Sequence, residues 1–377
     1  MEEVKKNSEG IQHEEVKQEG HGTPDIFDIC QRIPLEYSAS SIQRNLIALT
    51  DHPEPKRNLP ISCSVGFIHK GSFIIYHVEG ENSHHINSNH KQSIHLTELI
   101  RLTTSSSCAT NKISKGTVIL QAKWLETTNG YVLLLGSING IYFFDEDGVK
   151  HIGKFDNVLG LTGYSRASSS VGNSILAGTD SGDILCFEYD PARGTVSYTH
   201  QKEKLHLSSI QDMSKYQQML ASGDATGVIK VWRVQDFSII GDFLAAEDCV
   251  TGCILSGNHV IGAYASGVVR IYDIKSKDMQ VMIKAHSRWI VSMDINVRQS
   301  LLLTVSEDNT ARLWRIREKS SDKSLSLEDL TTQPKMIYGV SIKNQVLVGG
   351  CFIDTQGTSF ALSSYAEKQL MIYSAPI

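Results

Sequence analysis

The sequence predicts an all-β protein, a seven-bladed β-propeller closed by a strand from near the N-terminus. Three observations carry this. A two-strand pattern recurs along the chain, the aromatic residue that ends it returns at near-constant spacing, and further β-branched strands flank each copy. Five segments share one order of apolar strand, small polar turn and alternating strand: VLLLGSINGIYFF (132–144), ILAGTDSGDILCF (175–187), MLASGDATGVIKVW (219–232), VIGAYASGVVRIY (260–272) and LLLTVSEDNTARLW (301–314). Their closing residues Phe144, Phe187, Trp232, Tyr272 and Trp314 lie 43, 45, 40 and 42 residues apart. That is the ~40–45 residue period of a four-stranded propeller blade.

Taken in order, residues 1–30 read as a disordered acidic tail and 31–377 as the propeller. The first 24 residues hold six Glu, three Lys and no aromatic, too little apolar surface to offset chain ordering. VGFIHKGSFIIY (65–76) is a sixth copy, with Gly71 five residues before Tyr76, the offset of Gly182, Gly227 and Gly267 in theirs. A stretched seventh copy runs from Gly349 to Tyr373. The inner strands are assigned to VILQAKWL, VLGLTGY, SIQDMSKY, CVTGCIL, WIVSMDI and MIYGVSI, and the outer ones to HIGKF, VSYTH, SIIGDFL and VMIKA. Polar insertions at 81–93, 103–115 and 317–329 read as surface loops. The first blade is expected to have three strands of its own, leaving RIPLEY (32–37) to pair with the last blade and cover its edge.

Composition narrows the function. The chain has 377 residues, 41% of them hydrophobic, with 29 Gly and 8 Pro, enough for a buried core. A formal charge of −5 gives no basic excess for a phosphate backbone or an anionic membrane, so neither is an expected partner. The seven Cys form no CxxC pair, which suits reduced thiols inside a cell, and Cys249 with Cys253 reads as a pair of core thiols. The start MEEVKK lacks the apolar segment of an export signal, and no run reaches the ~18 apolar residues of a membrane span. The expected location is the cytoplasm or nucleus.

The blade ending at Trp314 is the most informative: AHSRWIVSMDI followed by LLLTVSEDNTARLWRI. It resembles the WD-repeat family, whose blades carry a hydrogen-bonded tetrad of His, Ser or Thr, Asp and Trp. The resemblance implies a structural tetrad of His286, Thr304 (or Ser306), Asp308 and Trp314. A buried carboxylate there accepts from the imidazole, the hydroxyl relays, and the indole N–H donates. Other blades depart from the family pattern: Ser181, Thr226 and Ser266 stand where the Asp is expected, and no Trp is followed by Asp. Further segments, among them RNLPIS, INGIYFF and CFIDTQGTSFALSSY, extend the resemblance to one member of the family over 33–377 and imply a eukaryotic intracellular propeller used for protein contacts.

In that family, partners dock on the face formed by the turn before the Trp and the loop before the inner strand. The resemblance therefore implies a partner-binding set of Arg288, Trp289, Glu307, Tyr264 and Asp224. Arg288 and Trp289 lead it because aromatic and Arg side chains dominate interface hot spots, with packing between blades the alternative for Trp289. No catalytic residue, cofactor or metal is expected. His84, His85, His90 and His95 read as a solvated loop rather than a metal site. The Ser-rich stretches 103–107 and 165–170 read as loops open to phosphorylation or unmodified. SGDATG (222–227) lacks the ending and helix of a phosphate loop.

The function expected is a non-enzymatic scaffold for proteins or peptides. Three alternatives stand beside it. A ubiquitin-ligase substrate receptor would show Trp-Asp-x-Arg, where this chain has Trp-Arg. A propeller enzyme would need Lys123, Asp212 and Asp294 to meet in the channel, and an RNA-binding propeller would retain nucleic acid.

Overall fold

The computed structural model describes residues 28–50, 61–80, 86–95, 118–156, 163–244, 248–316, 334–365 and 367–374. They form seven four-stranded antiparallel sheets and no helix. The inner strands, Ile47–Leu49, Ile119–Thr127, Ser165–Val171, Ile210–Tyr216, Val250–Ser256, Ile290–Asn296 and Leu347–Phe352, lie side by side around a central channel. Apolar side chains of neighbouring sheets interlock to form the core, and the seven aromatics Tyr76, Phe144, Phe187, Trp232, Tyr272, Trp314 and Tyr373 all sit on third strands. The fold is a seven-bladed β-propeller.

Closure comes from the N-terminal strand Asp28–Pro34, which pairs antiparallel with Gln369–Ser374 at the outside of the seventh blade. It ties both ends of the chain into one sheet and covers an edge that would otherwise offer free N–H and C=O groups.

Four strand assignments need correction. The first blade has four strands of its own, and the seventh, with Leu347–Phe352, Ser359–Ser364 and Gln369–Ser374, is the one completed by the N-terminus. MIYGVSI is not the inner strand of the seventh blade but lies in the outer strand of the sixth, Lys335–Ser341, so the 317–329 insertion falls within a blade. The inner strand of the third blade is SRASSSV, Ser165–Val171, and not VLGLTGY. Its serines 168, 169 and 170 are buried, so a kinase does not reach them in the folded chain. Finally, Ile86–His95 is the outer strand of the first blade rather than a loop. An outermost strand has one neighbour and needs no apolar stripe, which is why its polar sequence hid it. His84, His85, 103–107 and the side chains of His90 and His95 lie outside the described residues.

Each of six inner strands carries a β-bulge at its second residue: Leu120, Arg166, Gln211, Thr251, Val291 and Val348. The bulge turns the start of the strand at the channel mouth, as bulges commonly do at functional rims.

Candidate functional site

The sixth blade brings its four tetrad residues together. Trp314 Nε1 donates to Thr304 Oγ1 at 3.0 Å, Thr304 Oγ1 lies 2.8 Å from His286 Nε2, and His286 Nδ1 lies 3.1 Å from Asp308 Oδ2. Burial holds His286 down to about 4, so the ring is neutral at pH 7, with its Nδ1–H directed at the carboxylate. Burial pushes the Asp308 carboxyl up, but hydrogen bonds from Thr310 and the Ser287 N–H, with the adjacent imidazole, outweigh it and leave the group below its usual range.

The fourth blade builds a second tetrad that the spacing rule missed. Trp232 Nε1 donates to Ser222 Oγ at 3.0 Å, Ser222 Oγ lies 2.7 Å from His206 Nε2, and His206 Nδ1 lies 2.8 Å from Asp224 Oδ2. Asp224 is only 2% exposed, so it is a structural carboxylate and not a partner contact. Its place in the hairpin is that of Ser306, while Thr226, which stands at the Asp308 position, donates to Asp224 Oδ1 at 2.7 Å. The carboxylate and the hydroxyl have exchanged positions.

Tyr264 needs the same correction. It is fully buried in the fifth blade, where Gly262 replaces the tetrad hydroxyl. A Cβ at Gly262 would stand 2.9 Å from the Tyr264 hydroxyl, so the missing side chain makes room for the phenol. Tyr264 Oη lies 3.2 Å from Tyr272 Oη, and the Arg270 guanidinium sits 4.6 Å from the Tyr264 ring centre. A tyrosine pair thus stands in for the tetrad.

The other three predicted contacts are at the surface. Arg288, Trp289 and Glu307 are exposed on the face where the inner strands begin, and Trp289, 44% exposed, borders the channel instead of packing between blades. One main-chain hydrogen bond defines its position in six blades. The residue after the second strand donates its N–H to the carbonyl of the residue before the inner strand, at 2.8–3.2 Å. The accepting residues are Val118, Tyr164, Ser209, Cys249, Trp289 and Val346. Val118, Tyr164, Trp289 and Val346 are all exposed, as is Tyr365 beside Val346, so this rim presents large apolar side chains from four blades.

The channel encloses a cavity of about 930 Å³. Lys123, Asp212 and Asp294 all line it, and so does Arg44, which nothing in the sequence marked. Arg44 enters on a strap, 35–46, that crosses from the closing strand to the first inner strand. Its guanidinium pairs with Asp212 and donates to the Gln211 carbonyl, and its main-chain N–H donates to Val291 O at 2.8 Å. The next residue, Asn45, donates its N–H to Val348 O at 3.0 Å. Three of the six bulge carbonyls are therefore capped by the strap. Gly349 permits it, since a Cβ there would meet Leu46 N at 2.6 Å.

The remaining polar groups of the channel tie blades together. Asp212 Oδ2 accepts from Cys253 N and Asp294 Oδ2 from Phe352 N, both at 2.8 Å, and each bond joins one inner strand to the next. Lys123 Nζ donates to Ser168 O at 2.9 Å and Met213 O at 2.8 Å. Burial, with repulsion from Arg44, pulls its ammonium down to about 8. Burial also pushes the Asp294 carboxyl up. Among the described residues no three His, Cys, Asp or Glu side chains are grouped to hold a metal ion.

Against known proteins, the WDR54 family model matches residues 27–375, almost the whole chain. The chain belongs to the WDR54 family. A match at this length takes in the closing strand and all seven blades. Relatives in the WDR54 family include mouse (Mus musculus) WD repeat-containing protein 54, 25% identical over 269 residues, which covers 67% of this chain and 78% of the mouse protein. Rat (Rattus norvegicus) WD repeat domain 54 is 24% identical over 273 residues, 68% of this chain and 79% of the rat protein. Similar solved structures are a chain of the mitotic checkpoint complex (TM-score 0.62, 11% identity, 98% of each chain) and the WD40 repeats of RRP9 (TM-score 0.62, 12% identity, 91% of this chain and 100% of that one). At such identities they share the fold with this WDR54-family chain.

Proposed function

We propose that the chain is a non-catalytic interaction scaffold of the eukaryotic cytoplasm or nucleus, and that its partner is a protein or peptide docking on the face where the inner strands begin. The observation that carries this reading is the exposed rim: Trp289, Tyr164, Val118 and Val346, held at one equivalent position by one repeated hydrogen bond, with Arg288 and Glu307 beside them. Aromatic and Arg side chains around a rigid, concave mouth are the usual makings of an interface hot spot.

A binding role is favoured over a catalytic one by how the channel groups are used. Lys123, Asp212 and Asp294 share the cavity, yet each is engaged by main-chain groups of neighbouring blades, and Asp212 also by Arg44. Replacing Arg288 and Trp289 together by Ala tests the proposal. The immobilised full chain is compared with wild type for proteins retained from a eukaryotic lysate, with thermal unfolding as the control for folding. Loss of a defined set of retained proteins is expected, whereas an unchanged set overturns the assignment of this face.

A further inference from the structure

At the mouth described above, two cations from neighbouring blades, Arg166 and Lys123, have no carboxylate at contact distance among the described residues. Asp212 is neutralised by Arg44. Asp294 accepts the N–H groups of Ile295 and Phe352, and Asp354 accepts Thr358 N and Oγ1. Arg166, by contrast, is exposed on the bulge of the third inner strand and lines the cavity, and its guanidinium has no hydrogen bond or ion pair among the described residues. Lys123, from the adjacent blade, donates only to carbonyl oxygens and has no carboxylate at contact distance among the described residues. Arg288, next to Trp289, is likewise exposed, and although its carbonyl accepts from Ser306 Oγ its guanidinium has no partner among them. On the same face the acids are Glu307, on the sixth blade beside Trp289, Asp180, at the equivalent position of the third blade, where it accepts the Tyr164 N–H at 2.9 Å, and Asp248, on the fifth blade, which accepts from Ser266.

We infer that the mouth between the second and third blades receives a carboxylate side chain of the docked partner, with Arg166 and Lys123 holding the charge while Trp289, Tyr164 and Val118 pack on apolar residues beside it. The partner segment is thus an acidic peptide with neighbouring aromatic or aliphatic residues. The inference rests on the rim being the docking face and adds the chemistry of what docks there. Arg suits the task because its planar fork takes a carboxylate through two N–H groups, and Lys123 sits deep in the cavity, where screening is weak. The lowered pKa of Lys123 agrees, since burial and repulsion from Arg44 outweigh the attraction of Asp294 and leave the ammonium short of counter-charge.

The test is a random twelve-residue peptide library panned on the immobilised full chain, followed by fluorescence anisotropy of the selected peptides. Selected sequences are expected to combine Asp or Glu with aromatic or aliphatic residues. Arg166→Glu is expected to weaken their binding at least tenfold with unfolding temperature unchanged, and Lys123→Met to weaken it in the same direction. Gln in place of the acidic residues should cost a similar factor. Peptides without acidic bias, binding indifferent to Arg166→Glu, or no peptide recovered each overturns the inference. Trp289→Ala separates it from the reading it rests on. Loss of binding on Trp289→Ala without any charge dependence leaves the rim as the docking face and removes the carboxylate site; indifference to both variants removes both.

Discussion

Asp224 and Asp308 reach equivalent histidines from positions two residues apart in their hairpins, Asp224 from the end of a second strand and Asp308 from the turn beyond it. The geometry tolerates the exchange because the partner position carries a short hydroxyl residue in each case: Thr226 beside Asp224, Ser306 before Asp308. Both tetrads end on an indole N–H, and both anchor the loop that leads into an inner strand.

Removing the Asp224 carboxylate should therefore cost at least as much as removing that of Asp308. Asp224→Ala leaves the buried His206 Nδ1–H without its acceptor, a penalty of about 1–3 kcal/mol, while Thr310 Oγ1, 3.0 Å from His286 Nδ1, remains when Asp308 is lost. Thr226→Ala removes one hydrogen bond and should cost about 0.5–1.5 kcal/mol. Urea unfolding of Asp224→Ala, Asp308→Ala and Thr226→Ala checks the order. A Thr226 effect larger than that of Asp224 would return the structural role to the family's usual position.

Acid should weaken the sixth blade before it weakens its carboxylates. His286 is held at about 4, below its value of about 6.5 in an unfolded chain, so the unfolded state binds the proton more tightly. This contribution is full above pH 6.5 and is lost as pH falls from there towards 4, by at most about 1.4 kcal/mol per pH unit and on the order of 3 kcal/mol in all. His286→Gln should flatten the slope of stability between pH 6.5 and 4 relative to wild type. Identical slopes would contradict the buried neutral ring.

The Arg44–Asp212 pair ties the strap to the far side of the channel, so the two residues should not act independently. Arg44→Ala and Asp212→Asn are expected to be non-additive, with a coupling on the order of 1–3 kcal/mol in a double-mutant cycle. A coupling near zero would mean that the strap is held by Asn45 and its main-chain bonds alone.

Starting the chain at residue 35 instead of 28 removes the closing strand and bares the Gln369–Ser374 edge. Light scattering after gel filtration should show self-association of the shorter chain, with a lower unfolding temperature, while the chain from 28 behaves as the full one. Equal behaviour of the two would deny the closing role of Asp28–Pro34.

Much of this architecture was legible from residues alone, and the exceptions share a cause. Hairpins announced themselves because two central strands of each blade are buried on both faces and ended by an aromatic, as in LLLTVSEDNTARLW. Strands with other duties did not. SRASSSV lines a channel with small hydroxyl residues that bond across blades, Ser170 Oγ to Glu126 O for example, and so imitates a loop. Ile86–His95 is an outer edge and needs little apolar content. At the site, the exposure of Arg288, Trp289 and Glu307 was legible because these residues lie in the turns on the face where the inner strands begin, although His286 in the same loop is buried. Asp224 and Tyr264 misled because their exposure depends on which hole lies opposite, His206 in one blade and Gly262 in the other. Arg44 had no local signal, since its role exists only once the ring has closed around it.

The claim that one face of the ring does the binding is tested most directly by site-specific photo-cross-linking. A benzophenone amino acid is placed at 164 or 289 on the rim and at 198 or 239 on exposed outer strands, and the full chain is irradiated in a eukaryotic lysate. Discrete protein adducts from 164 and 289, with only background from 198 and 239, are the predicted result; adducts from the outer strands with a silent rim would contradict it.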